Sequence, residues 1–214
     1  ETVLVTAGPT REPLDPVRFI TNYSSGKMGY AIARAARKRG ASVILISGPT
    51  ALDPPGGVEL VPVRSACEMR DAVMGRLEGA TVIVKAAAVA DYRPSVCADQ
   101  KIKKQPGDLR LCLERNPDII AEIGRKKGGR ILVGFAMESE NLLENARRKM
   151  RAKKMDMIVA NDLTEAGAGF QGDTNVIRIL SPDGREEALP LMDKREAADR
   201  ILDRIRDLRA RGGR

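Results

Sequence analysis

The apolar positions of this chain follow two rhythms that alternate along most of its length. Short unbroken runs read as buried strands: TVLVTA (2–7), VILIS (43–47), a segment over 58–63, ATVIVKAA (80–87), ILVGFA (131–136) and MIVA (157–160). Between them lie stretches with apolar residues at helical spacing. These are GKMGYAIARAARKRG with its stop at Gly40, residues 65 to about 78, a helix opened by Pro117 at its first turn, and residues 140–154. A ribbon is expected near 109–113. Strand and helix in regular alternation predict a three-layer, Rossmann-like α/β fold, a parallel sheet with helices on both faces.

After a turn-rich stretch over 161–172, VIRIL and EEALPL flank Pro182-Asp183-Gly184 and predict a β-hairpin extension over 174–191. A last helix begins near Lys194. Its charges surround Ala198, Ile201, Leu202 and Ile205 and read as a solvated face. Residues 1–214 are expected to form one domain.

Composition narrows the chemistry. No apolar run approaches the roughly 20 residues that span a bilayer, and the chain opens directly on a strand, so a soluble, cytoplasmic protein without membrane contact is expected. Cys67, Cys97 and Cys112 are odd in number and widely spaced, which fits neither a disulfide framework nor a thiolate metal site; they are expected to be reduced and structural. Histidine is absent, which removes the commonest general base, the Ser-His and Cys-His nucleophile pairs and most catalytic zinc sites. The net charge of +8 favours anionic ligands. With aromatics at 3% and no Trp, few residues can stack on nucleic-acid bases, so small phosphates are favoured over nucleic acid.

In open α/β sheets ligands bind beyond the carboxyl ends of the strands, so the loops after Ala7, Ala87 and Ala136 should converge on one cleft. The first loop places Arg11, Arg18, Asn22, Ser24 and Ser25 before a helix whose free N–H groups suit a phosphate or carboxylate; equally, Ser24 or Ser25 is a plain helix cap. It is neither a P-loop nor a GxGxxG turn. The second carries Asp91 and the crowded Lys101, Lys103 and Lys104, either a strap over a polyphosphate or a solvated loop. On the helix over 140–154, a rotation of about 100° per residue puts Lys149 and Lys153 inside the apolar stripe of Leu142 and Ala146, where each must snorkel or meet an anion. Asp118 suits a helix N-terminus, and Phe135 ends a strand where it packs in the core or against a base.

The motifs VTAGPTREPLDPVRFITNYSSGKMG, AAAVADYRP, KIKK, NPDI, VGFAME and MIVAND occur together and in order over about residues 2–191. In that combination the chain resembles the phosphopantothenoylcysteine synthetase (phosphopantothenate–cysteine ligase) family, the synthetase half of the bacterial bifunctional coenzyme A biosynthesis flavoprotein. The resemblance implies that 4'-phosphopantothenate attacks CTP to give an acyl-cytidylate and pyrophosphate, and that L-cysteine then displaces CMP. It implies Mg²⁺ as cofactor, no flavin in this part, a homodimer whose hairpin region completes the neighbouring site, and fusion to or association with a phosphopantothenoylcysteine decarboxylase.

Carried over by position, Asn22 resembles the asparagine that handles the acyl-cytidylate, and Lys101 the strap lysine that helps form it. Asp91, Asn116, Pro117, Asp118, Ile119, Phe135, Lys149 and Lys153 resemble nucleotide-binding positions, with Lys85, Ala86 and Ala87 lining the base or ribose. Arg18 and Ala88 resemble further substrate-binding positions; metal ligands are left unassigned. Two features depart from the family pattern: Lys85 replaces a small residue, and the segment after KIKKQ is short. Two rivals remain at this stage. A nicotinamide-dependent reductase would need the missing glycine fingerprint and an acidic residue where Ser47-Gly48-Pro49 stands. A nucleic-acid-binding module would show strongly salt-dependent binding and no turnover.

Overall fold

The computed structural model describes residues 1–104, 106–138, 142–162 and 172–212. β1 (Thr2–Ala7) is buried on both faces: Val3, Val5 and Ala7 enter one core and Leu4 the other, as the two-residue period of a strand requires. A short ribbon, β2 (Glu12–Pro13) with β3 (Phe19–Ile20), leads into α1 (Lys27–Lys38). β4 (Ser42–Ser47), β5 (Glu59–Pro62), α2 (Ala66–Met74) and β6 (Val82–Lys85) follow. A second ribbon, β7 (Tyr92–Pro94) with β8 (Leu113–Arg115), precedes α3 (Ile119–Lys126). β9 (Ile131–Glu138), α4 (Leu142–Ala152), β10 (Met157–Asp162), β11 (Thr174–Leu180), β12 (Glu186–Asp193) and α5 (Lys194–Gly212) complete the order.

One eight-stranded sheet runs β12-β11-β10-β9-β6-β1-β4-β5. From β5 to β10 every pairing is parallel; β11 and β12 are added antiparallel, so the expected hairpin extends the sheet itself. Helices α1 and α5 pack on one face with Val5, Val84 and Val159, while α2, α3 and α4 cover the other with Leu4, Ile83 and Ile158. This is the expected three-layer, Rossmann-like arrangement. From β1 the chain moves through α1 toward β4 and β5, then returns to the other side of β1 at β6. Strand order therefore reverses between β1 and β6, where such sheets open a crevice.

Several boundaries differ from expectation for local reasons. Pro117 does not open α3: Asp118 is the N-cap, its carboxylate accepting from Ala121 N–H at 3.1 Å, so Pro117 sits just before the cap. The helix expected over 65–78 is only α2, capped by Ser65. β6 stops at Lys85 because Ala87 N–H turns to Thr6 Oγ1 instead of continuing a ladder. The ribbon strand lies at Leu113–Arg115 rather than 109–113, set by its pairing with Tyr92–Pro94. α4 ends at Ala152, and Lys153 occupies the closing turn, its N–H still bonded to Lys149 O at 3.0 Å. Residues 140 and 141 of the expected helix, and 163–171 of the turn-rich stretch, lie outside the described residues. Cys97 and Cys112 are exposed and so carry no core role; Cys67 is half-buried, and all three are free. Among the described residues no helix is long and apolar enough to cross a membrane.

Candidate functional site

The loops leaving β1 and β6 are laced together at the point of strand reversal. Ala88 N–H donates to Gly8 O at 3.0 Å, Thr10 N–H to Ala88 O at 3.2 Å, and Ala90 N–H to Thr10 Oγ1 at 3.0 Å. α1 is seated directly on the end of β1: a Cβ on Gly29 would stand 2.6 Å from Ala7 Cβ, a separation that real side chains do not adopt. The N-cap of α1 is Gly26, with φ of 79°, so neither serine occupies the cap position; Ser24 Oγ instead accepts from Gly26 N–H at 3.4 Å. Asn22 bridges the loops. Its Nδ2 donates to Ala88 O at 2.7 Å and its Oδ1 accepts from Ser24 N–H at 3.1 Å, which leaves one amide N–H for a ligand.

Two cavities open here, one on each side of the sheet's carboxyl edge. The larger, about 510 Å³, is lined by Asn22, Ala86, Ala87, Ala88 and Phe135 together with the start of α1. The smaller, about 330 Å³, is lined by Asn116, Pro117, Asp118, Ile119 and Lys153. Lys85 and Asp91 line both. Asn116 is fixed by donating Nδ2 to Ala90 O at 2.8 Å and accepting from Arg93 Nη1 at 3.0 Å. Asp118 pairs with Lys153 Nζ at 2.9 Å. Burial opposes its charge, but Lys153 and the Ala121 amide bring Asp118 below the usual carboxylate range.

Lys85 donates to Ala87 O at 3.1 Å. Burial, reinforced by nearby Lys153 and opposed by Asp118 and Asp91, pulls its ammonium down to about 8. Only the protonated form attracts phosphate. Affinity for an anionic phosphate probe such as pyrophosphate should therefore weaken as pH rises past 8, by at most about tenfold per pH unit, and Lys85→Met should flatten that dependence. Titration calorimetry between pH 7 and 9 reads this; an undiminished slope in the variant would clear Lys85 of the role.

Arg18, Lys101 and Lys149 line neither cavity. Arg18 is held by Asp15, Lys101 is exposed on its loop, and Lys149 is half-buried on α4. Residues not anticipated as ligands do line the larger cavity: Lys27, Asn161, Asn175 and Lys194. Asn161 and Asn175 are buried, and neither Oδ1 has a hydrogen-bond partner among the described residues. A faint sign exists in the pattern. Buried Met157 and Val159 on β10, and Ile179 and Ile177 on β11, each give way to asparagine at the same end of the sheet. Among the described residues no group of three or more His, Cys, Asp or Glu could hold a metal on its own.

A doubly wound α/β domain whose ligand groove straddles the strand-order reversal is thus the class that fold and site define. The model of the DNA/pantothenate metabolism flavoprotein C-terminal domain family matches residues 1–208, and the chain belongs to that family. It is 50% identical over 212 residues to the coenzyme A biosynthesis bifunctional protein CoaBC of Bacillus subtilis, covering 99% of this chain and 52% of that protein. The same protein of Escherichia coli K12 is 46% identical over 207 residues, covering 95% and 51%. The chain thus spans about half the length of these curated relatives. The crystal structure of the C-terminal domain of a CoaBC protein superposes with a TM-score of 0.84 at 47% identity, covering 97% of this chain and 96% of that one.

Proposed function

We propose that residues 1–214 act as one phosphopantothenate–cysteine ligase domain of coenzyme A biosynthesis, using CTP. The observation that carries this reading is the pair of cavities meeting at Lys85 and Asp91, with the segments AAAVADYRP and NPDI contributing to their linings. The half-length match to bifunctional CoaBC proteins supports it. A structural neighbour at 18% identity, a Cab2 mutant in complex with phosphopantothenate-cysteine, shares the fold.

In this reading the phosphopantothenate carboxylate attacks the α-phosphorus of CTP, a P–O bond to pyrophosphate breaks, and acyl-cytidylate forms. The cysteine amine then attacks the acyl carbon; CMP leaves and the amine proton passes to solvent. The first step needs in-line positioning and charge neutralisation more than proton transfer, which suits a chain without histidine. Lys85, Lys153 and Lys101 supply cations, and Asn116 to Ile119, with Phe135, shape the nucleotide's surroundings. The spare Asn22 N–H holds the acyl-cytidylate, Ala88 lines its path, and Lys149 and Arg18 act from outside the cavities. Mg²⁺ would neutralise triphosphate charge; the Asp91 carboxylate on the shared wall is the kind of single protein ligand that a phosphate-borne Mg²⁺ needs. No flavin has a role in this half.

Exposed Val17, Phe19, Tyr92, Val96 and Leu113 around the two ribbons offer an apolar surface that a homodimer would cover. The half-length match to bifunctional proteins supports fusion to, or association with, a decarboxylase, and this reading places the enzyme in the cytoplasm. The test is a reconstitution with CTP, phosphopantothenate and cysteine, with ATP in competition. CMP and pyrophosphate should appear only when CTP and phosphopantothenate are both present, and amide product only with cysteine; sedimentation of the same sample reads the dimer. Nucleotide consumption indifferent to phosphopantothenate overturns the reading.

A further inference from the structure

The loop that carries Lys101 has no helix or strand to hold it: residues 95–104 form only bends and irregular backbone. Ser95 ties its start to Cys112 O, by N–H at 3.0 Å and Oγ at 3.2 Å. Beyond that, its fixed points among the described residues come from the ribbon turn between β2 and β3. Ala98 N–H donates to Leu14 O at 2.9 Å. Ile102, adjacent to Lys101, is gripped at both of its peptide groups: its N–H donates to Asp15 Oδ2 at 3.0 Å, and its carbonyl accepts from Arg18 Nη2 at 2.8 Å.

The Asp15 carboxylate is fully buried, and its two oxygens divide the work. Oδ1 accepts from Val17 N–H and Arg18 N–H, both at 2.8 Å, which closes the turn in the manner of any Asx residue. Oδ2 accepts from Arg18 Nε at 3.0 Å, Arg18 Nη2 at 2.5 Å and Ile102 N–H. A turn alone needs only the first oxygen, and asparagine would serve it. The second oxygen is what reaches across more than eighty residues of sequence to the strap. The Arg18 guanidinium, with the amides of Ile102, Val17 and Arg18 assisting against burial, holds Asp15 well below the usual carboxylate range, so the anchor stays charged at neutral pH.

We propose that Asp15 is a positioning residue: through Oδ2 and the oriented Arg18 it pins Ile102 and thereby fixes where Lys101 stands during nucleotide activation. This rests on the ligase reading given above. A charge-assisted pair with a planar guanidinium has the directionality this demands, since Arg18 presents Nε–H and one Nη2–H to Asp15 Oδ2 and the other Nη2–H to the Ile102 carbonyl. A loop bearing Lys101, Lys103 and Lys104 is otherwise driven open by its own like charges.

The division of labour yields a separating variant. Asp15→Asn retains Oδ1 for the turn but turns an N–H toward Ile102 N–H and Arg18, two donors it cannot satisfy. The native chain should then be cut by trypsin after Lys101, Lys103 and Lys104 at least about tenfold faster, at a temperature where circular dichroism shows the variant still folded, since losing the buried pair also lowers the unfolding midpoint somewhat. Pyrophosphate release from CTP and phosphopantothenate should fall about 10- to 100-fold. Ala98→Pro, which removes the other pin without touching Asp15, should reproduce both effects. Lys101→Gln should abolish most of the release, and adding Asp15→Asn to it should change the residual rate less than about twofold, because an anchor that acts through Lys101 has nothing left to act on. Unchanged tryptic cutting in both pin variants overturns the anchor. Faster cutting with undiminished release, or full multiplicative losses in the double variant, overturns the positioning role. A wild-type chain releasing no pyrophosphate defeats the ligase reading instead, and the anchor is then decided by the protease rate alone.

Discussion

In the ligase reading, Asn22→Asp is expected to leave nucleotide cleavage running while acyl-cytidylate accumulates in place of amide product. The native amide donates one N–H to Ala88 O at 2.7 Å, accepts from Ser24 N–H at 3.1 Å, and keeps its second N–H for the cavity. A carboxylate offers no donor at neutral pH. It would face Ala88 O without a proton and place a negative charge beside an intermediate that is itself an anion. Loss of one well-aimed donor to a developing oxyanion typically costs about 10²- to 10³-fold in turnover, and that is the loss expected for the aminolysis step. Quenched-flow mass spectrometry separates the species: acyl-cytidylate should rise to near the enzyme concentration. Ordinary product yield from the variant would remove Asn22 from the chemistry.

Gly29→Val is expected to cost about 3 kcal/mol, from overpacking and from a β-branched residue in a helix. The first added carbon already meets Ala7 Cβ at 2.6 Å, Ala7 Cα at 3.1 Å and Thr6 O at 3.1 Å, and two of these contacts are backbone that cannot rotate away. α1 must lift from β1, carrying Gly26 and the Asn22 loop with it, so activity should fall along with stability. For a chain of this size the midpoint should drop by roughly 6–12 °C by calorimetry. Gly56→Ala is the control: a Cβ there meets nothing within 4 Å, so little change is expected. A Gly29→Val midpoint equal to the control's would contradict the direct seating of α1 on the strand.

The central strands were legible because runs such as TVLVTA and ILVGFA are buried on both faces and announce themselves without tertiary context. The ribbons were not. β2 and β3 are two residues each, and β7 and β8 three, lengths at which pairing is decided by the partner and not by propensity. The site divided in the same way. Asn22, Asp91 and the Asn116–Ile119 corner stand in loops at strand ends, so topology together with the family resemblance located them. Asp15 and Asn175 carry no local signal, because Asp15 acts through Ile102, far away in sequence, and Asn175 matters through the cavity wall it shares with Asn161. The helical projection brought Lys153 to a cavity wall although the helix stops one residue earlier, since its N–H keeps the Lys149 bond. The same projection gave no sign that Lys149 lines neither cavity.

Lys85 stands in the partition between two compartments, and an ammonium near its own titration midpoint makes that partition responsive. An anion arriving on either side raises the proton affinity of the shared lysine, and the more fully charged lysine then welcomes an anion on the other side. A lysine titrating near pH 8 on the shared wall would thus couple the two chambers through one proton. Such coupling is reciprocal by thermodynamic necessity, so in the ligase reading the factor by which phosphopantothenate tightens the nucleotide would equal the factor by which the nucleotide tightens phosphopantothenate. Both factors should shrink toward one in the cold light of pH 6.5, where the lysine is already fully protonated, and paired titrations at that pH and at pH 8 measure the difference.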